Sequence, residues 1–172
     1  MKILGINIAS HDTSAALIVN GKLICAFEEE RFNKEKHTKA FPINAINECL
    51  KVARIRINSI NCIAVSTDPM RQIRKFWLEG ALKYDYRLKM MMEEKDSIQN
   101  FYSIENSIRK NLKYKNKIKY YRHHLNHLAS CFYPSNFEKA LVVSYDGVGE
   151  GETGYFSVGS NKKIKLIHTN NL

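Results

Sequence analysis

The sequence predicts a mixed α/β fold: a sheet with helices on its faces, begun a second time near the C-terminal end. Three observations predict it. Short β-type runs alternate with helical segments, which places helices against a sheet. Asn20-Gly21 sits between two apolar runs, a strong hairpin signal. A three-strand, turn-linked plan occurs at both ends of the 172 residues.

The elements follow in order. "KILGINI" reads as a buried strand, and "SAALIVN" and "GKLICAFEEE" as an antiparallel pair. "ERFNKEKHTKAF" is polar without a period and reads as loop. Pro42 suits the first turn of a helix, "PINAINECLKVARI", with Ile43, Ile46, Leu50 and Ala53 on one face. "INCIAVSTD" is the next strand. Met70 to Lys113 is amphipathic and helical, and "KIKYYRH" a short strand. "HLNHLASCFY" is a helix, and "KALVVSYDG", "GETGYFSVG" and "KKIKLIHTN" are three strands. The expected division is 1–136 as a first half, with 70–115 a basic helical insertion. Residues 137–172 are then the opening strands of a second half cut off at Leu172. Three strands without their covering helices would leave one sheet face wet.

Composition narrows the function classes. Hydrophobic residues make up 44% of the chain, enough for a core, and no apolar run approaches the length that spans a bilayer. The N-terminus lacks a signal-peptide pattern, so a cytoplasmic location is expected. Cys25, Cys49, Cys62 and Cys131 lie in apolar segments without C-x-x-C spacing, which predicts buried free thiols. The net charge is +10, and Arg71 to Arg122 is rich in Lys and Arg. Such a stretch faces nucleic acid, anionic lipid or an acidic partner, or is simply a solvated helix face.

Four stretches carry chemistry. His123 and His127 stand four apart, so a helix puts both imidazoles on one face while His124 points elsewhere. Asp146 follows at a strand end. Two His and one carboxylate suit Fe(II), with Mn or Zn as substitutes. Leu125 stands where a zinc protease would place glutamate. In "YDGVGEGETG", Gly147 and Gly149 allow close backbone approach to an anion, or form a glycine-rich hairpin. In "NIASHDTSAA", His11 can act as a general acid/base, with Asp12 orienting it or holding a metal and Thr13 beside them; alternatively Asp12 only bonds backbone N–H groups in a turn. Glu30, Arg31, Lys36 and His37 sit in a charged strand end and loop, fit either for a polar substrate or for a solvated edge.

Together, "LGIN…HDTSAAL…NGKLICAFEEERFNKEKH", "FPINAINECL" and "HHLNHLASCFYPSNFEKALVVSYDGVGE" resemble the carbamoyltransferases of antibiotic and nodulation-factor biosynthesis. The resemblance runs from Lys2 to about Tyr155 and weakens from Met70 to Lys115. It implies an actin-like, sugar-kinase-like (ribonuclease H-like) fold of two similar halves, related to the enzymes that make threonylcarbamoyladenosine on tRNA. A separate C-terminal domain turns carbamoyl phosphate and ATP into carbamoyl-adenylate. The actin-like domain then passes the carbamoyl group to a substrate hydroxyl beside a metal, usually iron. Carried over residue by residue, His123, His127 and Asp146 are metal ligands, and Gly147, Gly149 and Thr13 serve the nucleotide phosphate. His11 takes the hydroxyl proton with Asp12 beside it. Lys36 and His37, with Glu30 and Arg31, contact the substrate.

Family members are much longer, so this chain alone is expected to be incomplete. It would need a C-terminal partner chain, or a homodimer, to act. Two alternatives come from other classes. One is a non-catalytic half-fold partner or assembly subunit of a fuller paralogue. The other is a basic RNA-binding module, although no base-reading motif is visible.

Overall fold

The computed structural model describes residues 1–171; Leu172, the last residue of the expected second half, lies outside them. Two sheets are present. The first has strand order β3-β2-β1-β4-β5 and the second β6-β7-β8. The residues cluster into two compact units: Met1–Pro69 with Glu93–Tyr120, and Met70–Met92 with the chain from Tyr121 onward.

In the first unit, β1 (Lys2–Asn7), β2 (Ser14–Val19) and β3 (Lys22–Glu28) form an antiparallel meander. The Asn20-Gly21 turn has φ of 50° and 81°, the left-handed pair that the hairpin's twist requires. β4 (Cys62–Val65) joins β1 in parallel, and β5 (Lys117–Tyr120) joins β4 in parallel. The register aligns Leu4 with Leu17 and Ile63, and Ile6 with Ala15 and Val65, so these six share one face. They form one core with Ala45, Ile46 and Cys49 of α2 (Ile43–Val52) and Ile104, Ile108 and Leu112 of α7 (Ile104–Leu112).

The segment read as loop contains a single-turn helix, α1 (Glu30–Asn33), ended by Lys34 at φ 62°. One turn is too short to create a periodic pattern, so sequence alone hides it. Pro42 lies one position before α2 rather than inside it. Glu29 satisfies the helix's first donors instead: it is 1% exposed and accepts from Asn44 N at 3.3 Å and Ala45 N at 2.9 Å, and from the Asn44 side-chain Nδ2 at 2.6 Å.

The long amphipathic stretch is interrupted rather than continuous. α3 (Pro69–Gln72) passes into a π-helical stretch, Ile73–Leu78, and then α4 (Glu79–Ala81). α5 (Asp85–Glu93), α6 (Lys95–Tyr102) and α7 follow. The two units divide this stretch between them: residues 70–92 belong to the second and 93–113 to the first.

In the second unit, α8 (His123–Phe132) covers one face of the antiparallel β6 (Lys139–Gly149), β7 (Glu152–Ser160) and β8 (Lys163–Asn171). Leu128 and Phe132 of α8 pack with Val142 and Tyr155. The opposite face is wet, as expected. Leu141 and Val143 pair with Val158 and Phe156 there, and Leu141 is 67% and Tyr145 81% exposed. All four cysteines are free, but Cys49 alone among them is fully buried and Cys131 is exposed, which corrects the expectation of buried thiols. Cys131 lies on α8 facing away from the packed side that Leu128 and Phe132 define. Among the described residues, no helix is long and apolar enough to cross a membrane.

Candidate metal centre and its supports

In the second unit, His123 and His127 emerge from the first two turns of α8, and Asp146 lies within β6. Their ligand atoms converge. His123 Nε2 lies 2.8 Å from Asp146 Oδ2 and 2.9 Å from His127 Nε2, and His127 Nε2 is 3.4 Å from the same carboxylate oxygen. Spacing of i, i+4 on one helix and a carboxylate on the neighbouring strand produce this geometry.

Electrostatics prepare these donors. Burial is the main cause that holds His123 below the usual histidine value, which keeps its imidazole neutral. The hydrogen bond from His123 is the main cause that lowers Asp146, and the Gly147 amide adds to it by donating to Asp146 Oδ1 at 2.6 Å. A neutral imidazole and an ionised carboxylate are the forms that ligate metal. The donor set therefore fits a divalent transition ion, with room for further ligands because His127 is half exposed.

Gly149 has a role that sequence reading did not supply. A Cβ built there would collide with the His123 ring, so this glycine lets β6 pass against that imidazole. Gly147 faces open space and contributes its amide.

Beneath the centre lies a buried polar network that sequence reading missed. Glu150 is 1% exposed and accepts the amide of His123 at 3.0 Å, which meets an unpaired donor at the start of α8. Gln72 Oε1 accepts the Glu150 amide at 2.7 Å. Arg71 reaches Glu152 at 2.6 Å and Glu150 at 3.7 Å. Tyr155 donates to Glu152 Oε2 at 2.6 Å, and Arg122 donates to the Tyr155 oxygen at 3.3 Å. His124 points away from the other two, as expected, and is buried, bonded to Ser144 Oγ at 2.7 Å and the Glu152 carbonyl at 2.9 Å. The signal was present in "GEGE": acidic residues alternating with glycine in a hairpin turn, where Glu150 adopts φ 57°.

In the first unit, the structure brings His11, Asp12 and His37 together. Their ligand atoms lie within 4.8 Å of one another. Glu30 Oε2 accepts the His37 amide at 3.2 Å, and Arg31 pairs with Glu28 at 3.0 Å. Lys36 is exposed, with no hydrogen bond or ion pair among the described residues. Thr13 is fully buried; its carbonyl accepts from the Glu29 amide at 2.9 Å, while its Oγ1 has no partner among the described residues.

The class of protein follows first from the fold. YeaZ from Pseudomonas aeruginosa superposes with a TM-score of 0.54 at 12% identity, covering 99% of this chain and 67% of that one. A second solved structure, an uncharacterized protein with similarity to peptidase YEAZ from P. aeruginosa, gives 0.51 at 10% identity, covering 97% and 63%. The fold is the actin-like, sugar-kinase-like class. The family follows from sequence: the carbamoyltransferase N-terminus pattern matches residues 2–171, and the chain belongs to that family. Nodulation protein NolNO of Sinorhizobium fredii is 30% identical over 95% of this chain and 23% of its own length. Protein sll1178 of Synechocystis is 31% identical, over 94% of this chain and 28% of that one. The chain thus spans about a quarter of the length of these relatives.

Proposed function

We propose that this chain is the N-terminal part of an O-carbamoyltransferase, which passes a carbamoyl group from carbamoyl-adenylate to a hydroxyl of a sugar or other small molecule. The observation that carries the reading is the convergence of His123, His127 and Asp146 in a chain of the carbamoyltransferase N-terminus family. Those three residues would hold Fe(II) or another divalent ion. When bound, the metal supplies positive charge against the phosphate that leaves.

The residues of the chain do the remaining work. The acceptor oxygen forms a bond to the carbamoyl carbon, the carbon–oxygen bond to the adenylate phosphate breaks, and AMP leaves with the electron pair. His11 takes the hydroxyl proton, and Asp12 holds the ring that receives it. Lys36, the unpaired cation of the Lys34–His37 loop, contacts the carbamoyl or phosphate oxygens, and Glu30 and Arg31 border it. The Gly147–Gly149 backbone serves the phosphate. Carbamoyl-adenylate itself is made from carbamoyl phosphate and ATP by a C-terminal portion, present in the same polypeptide or as a partner chain.

The test joins this chain to the C-terminal remainder of a relative and supplies carbamoyl phosphate, ATP and a panel of hydroxyl acceptors. The fusion should carbamoylate at least one acceptor, and His127→Ala should lower the rate by about 10²–10³, the usual scale for losing one electrostatic contact to a leaving group. A folded, metal-loaded fusion that consumes ATP but carbamoylates none of them would contradict the reading.

A further inference from the structure

His37 was expected at the substrate, yet its ring is turned to Asp12. The Asp12 carboxylate bridges two imidazoles, with Oδ2 at 2.5 Å from His11 Nδ1 and Oδ1 at 2.9 Å from His37 Nδ1. The two rings stand edge to face, 6.4 Å apart. We propose that His37 is a positioning residue: through Asp12 it fixes His11 with its proton on Nδ1, so that Nε2 carries the lone pair that accepts a proton from the acceptor hydroxyl. This inference rests on the reading of His11 as the base.

The backbone is built for that bridge. His11 and Asp12 are neighbours in sequence with their side chains in contact, and Asp12 takes φ 58°. The Asn7 amide holds that turn, donating to the Asp12 carbonyl at 3.0 Å and the His11 carbonyl at 3.3 Å. His37 also has a positive φ, 55°, and its amide is tied to Glu30. The two loops are stapled directly by the Thr13 amide, which donates to the Thr38 carbonyl at 3.3 Å. Positive φ at non-glycine residues costs free energy and persists where surrounding contacts over-determine it.

The chemistry fixes the tautomer. An ionised carboxylate only accepts, so each Nδ1 facing it must carry hydrogen. Hydrogen bonds from both histidines hold Asp12 below the usual carboxylate value, and the bond to Asp12 raises His37. His37 occupies the carboxylate oxygen that His11 does not use. A neutral His11 so bonded has one proton, on Nδ1, and a free Nε2. In serine proteases an orienting aspartate does the same for its histidine.

The test is the ring nitrogen shifts of the ¹⁵N-histidine-labelled chain, with His11→Gln and His37→Gln used for assignment. The expected result is a protonated Nδ1 and an unprotonated Nε2 on His11. In His37→Ala the His11 signals should move toward the Nε2–H form that a free imidazole prefers, while His37→Gln, which keeps a donor, should retain much of the original pattern. If His37→Ala proves unfolded, Asp12→Asn should produce the same movement. An Nε2–H His11 in the unaltered chain, or no movement in either variant, overturns the proposal. So does a Zn(II) equivalent that is lost in His37→Gln, because both Nδ1 atoms would then carry metal. None of these readouts uses catalysis. His11→Gln in the fusion enzyme tests the base separately: full activity there would remove the base and leave the tautomer result standing.

Discussion

Gly149 bears directly on the candidate metal centre. Its missing side chain leaves room for the His123 ring. Gly149→Ala should therefore weaken Co(II) binding at least tenfold while costing about 1–3 kcal/mol of stability, the usual range for overpacking; parallel metal titration and urea unfolding would measure both. Unchanged binding in that variant would mean β6 does not press on His123. The Asp12–His37 contact gives a second prediction at this scale. His37 is raised from 6.5, so its share of the contact is complete below that value and fades as pH rises through the elevated one. Asp12 is lowered from 3.8, so its share is complete above that value and fades as pH falls through the depressed one. The pair should be intact between those limits, and Asp12→Asn should lower the midpoint of the His37 ring titration. The convergence of His123, His127 and Asp146 was legible because a helical spacing and a neighbouring strand bring them together locally, although Asp146 lies within β6 rather than at its end. The bond between His37 and Asp12 was not, since it joins residues 25 apart through two turns of positive φ.

At the scale of elements, α8 is held at its N-terminus by a carboxylate from the β6–β7 turn. Glu150 accepts the first amide of the helix that carries both histidines, and Arg71 and Gln72 hold Glu150 and Glu152 from the α3 segment. Burial decides how much this matters. An exposed pair such as Lys51 with Glu48 contributes at most about 1 kcal/mol. Removing one partner of a buried group typically costs about 3–5 kcal/mol, because the remaining charge stays out of water. Arg71→Ala should therefore destabilise the second unit by that amount in denaturant unfolding, whereas Lys51→Ala should change stability by less than about 1 kcal/mol. Glu150→Gln keeps the shape and should lower metal affinity by about 10–100-fold, the range for residues that orient a ligand. Strand positions and both main hairpins could be read from alternation and turn residues. The breaks in residues 70–113 could not, because each segment keeps helical composition and the π-helical stretch at Ile73–Leu78 shares the same apolar pattern.

Across the whole molecule, the three-strand meander recurs as β1-β2-β3 and β6-β7-β8, the duplicated plan visible in the sequence. The second copy exposes Leu141, Val143 and Tyr145 on the sheet face away from α8. Replacing Leu141 and Val143 with Lys and Thr should leave the stability of this chain within about 0.5 kcal/mol per site, as for exposed positions generally. The same change should reduce binding of a hydrophobic dye; a large loss of stability would show that the face is covered in solution. The charge of +10 is shared among exposed lysines and arginines on helices, strands and loops of both units, and composition could not distinguish a solvated face from a ligand surface. The measurement closest to the central claim is an anaerobic Co(II) titration of the purified chain, followed by the visible absorption of the bound ion. The account predicts one tight site that His127→Ala and Asp146→Ala each abolish while far-ultraviolet circular dichroism stays unchanged. Tight binding that survives both substitutions, or none in the unaltered chain, would contradict it.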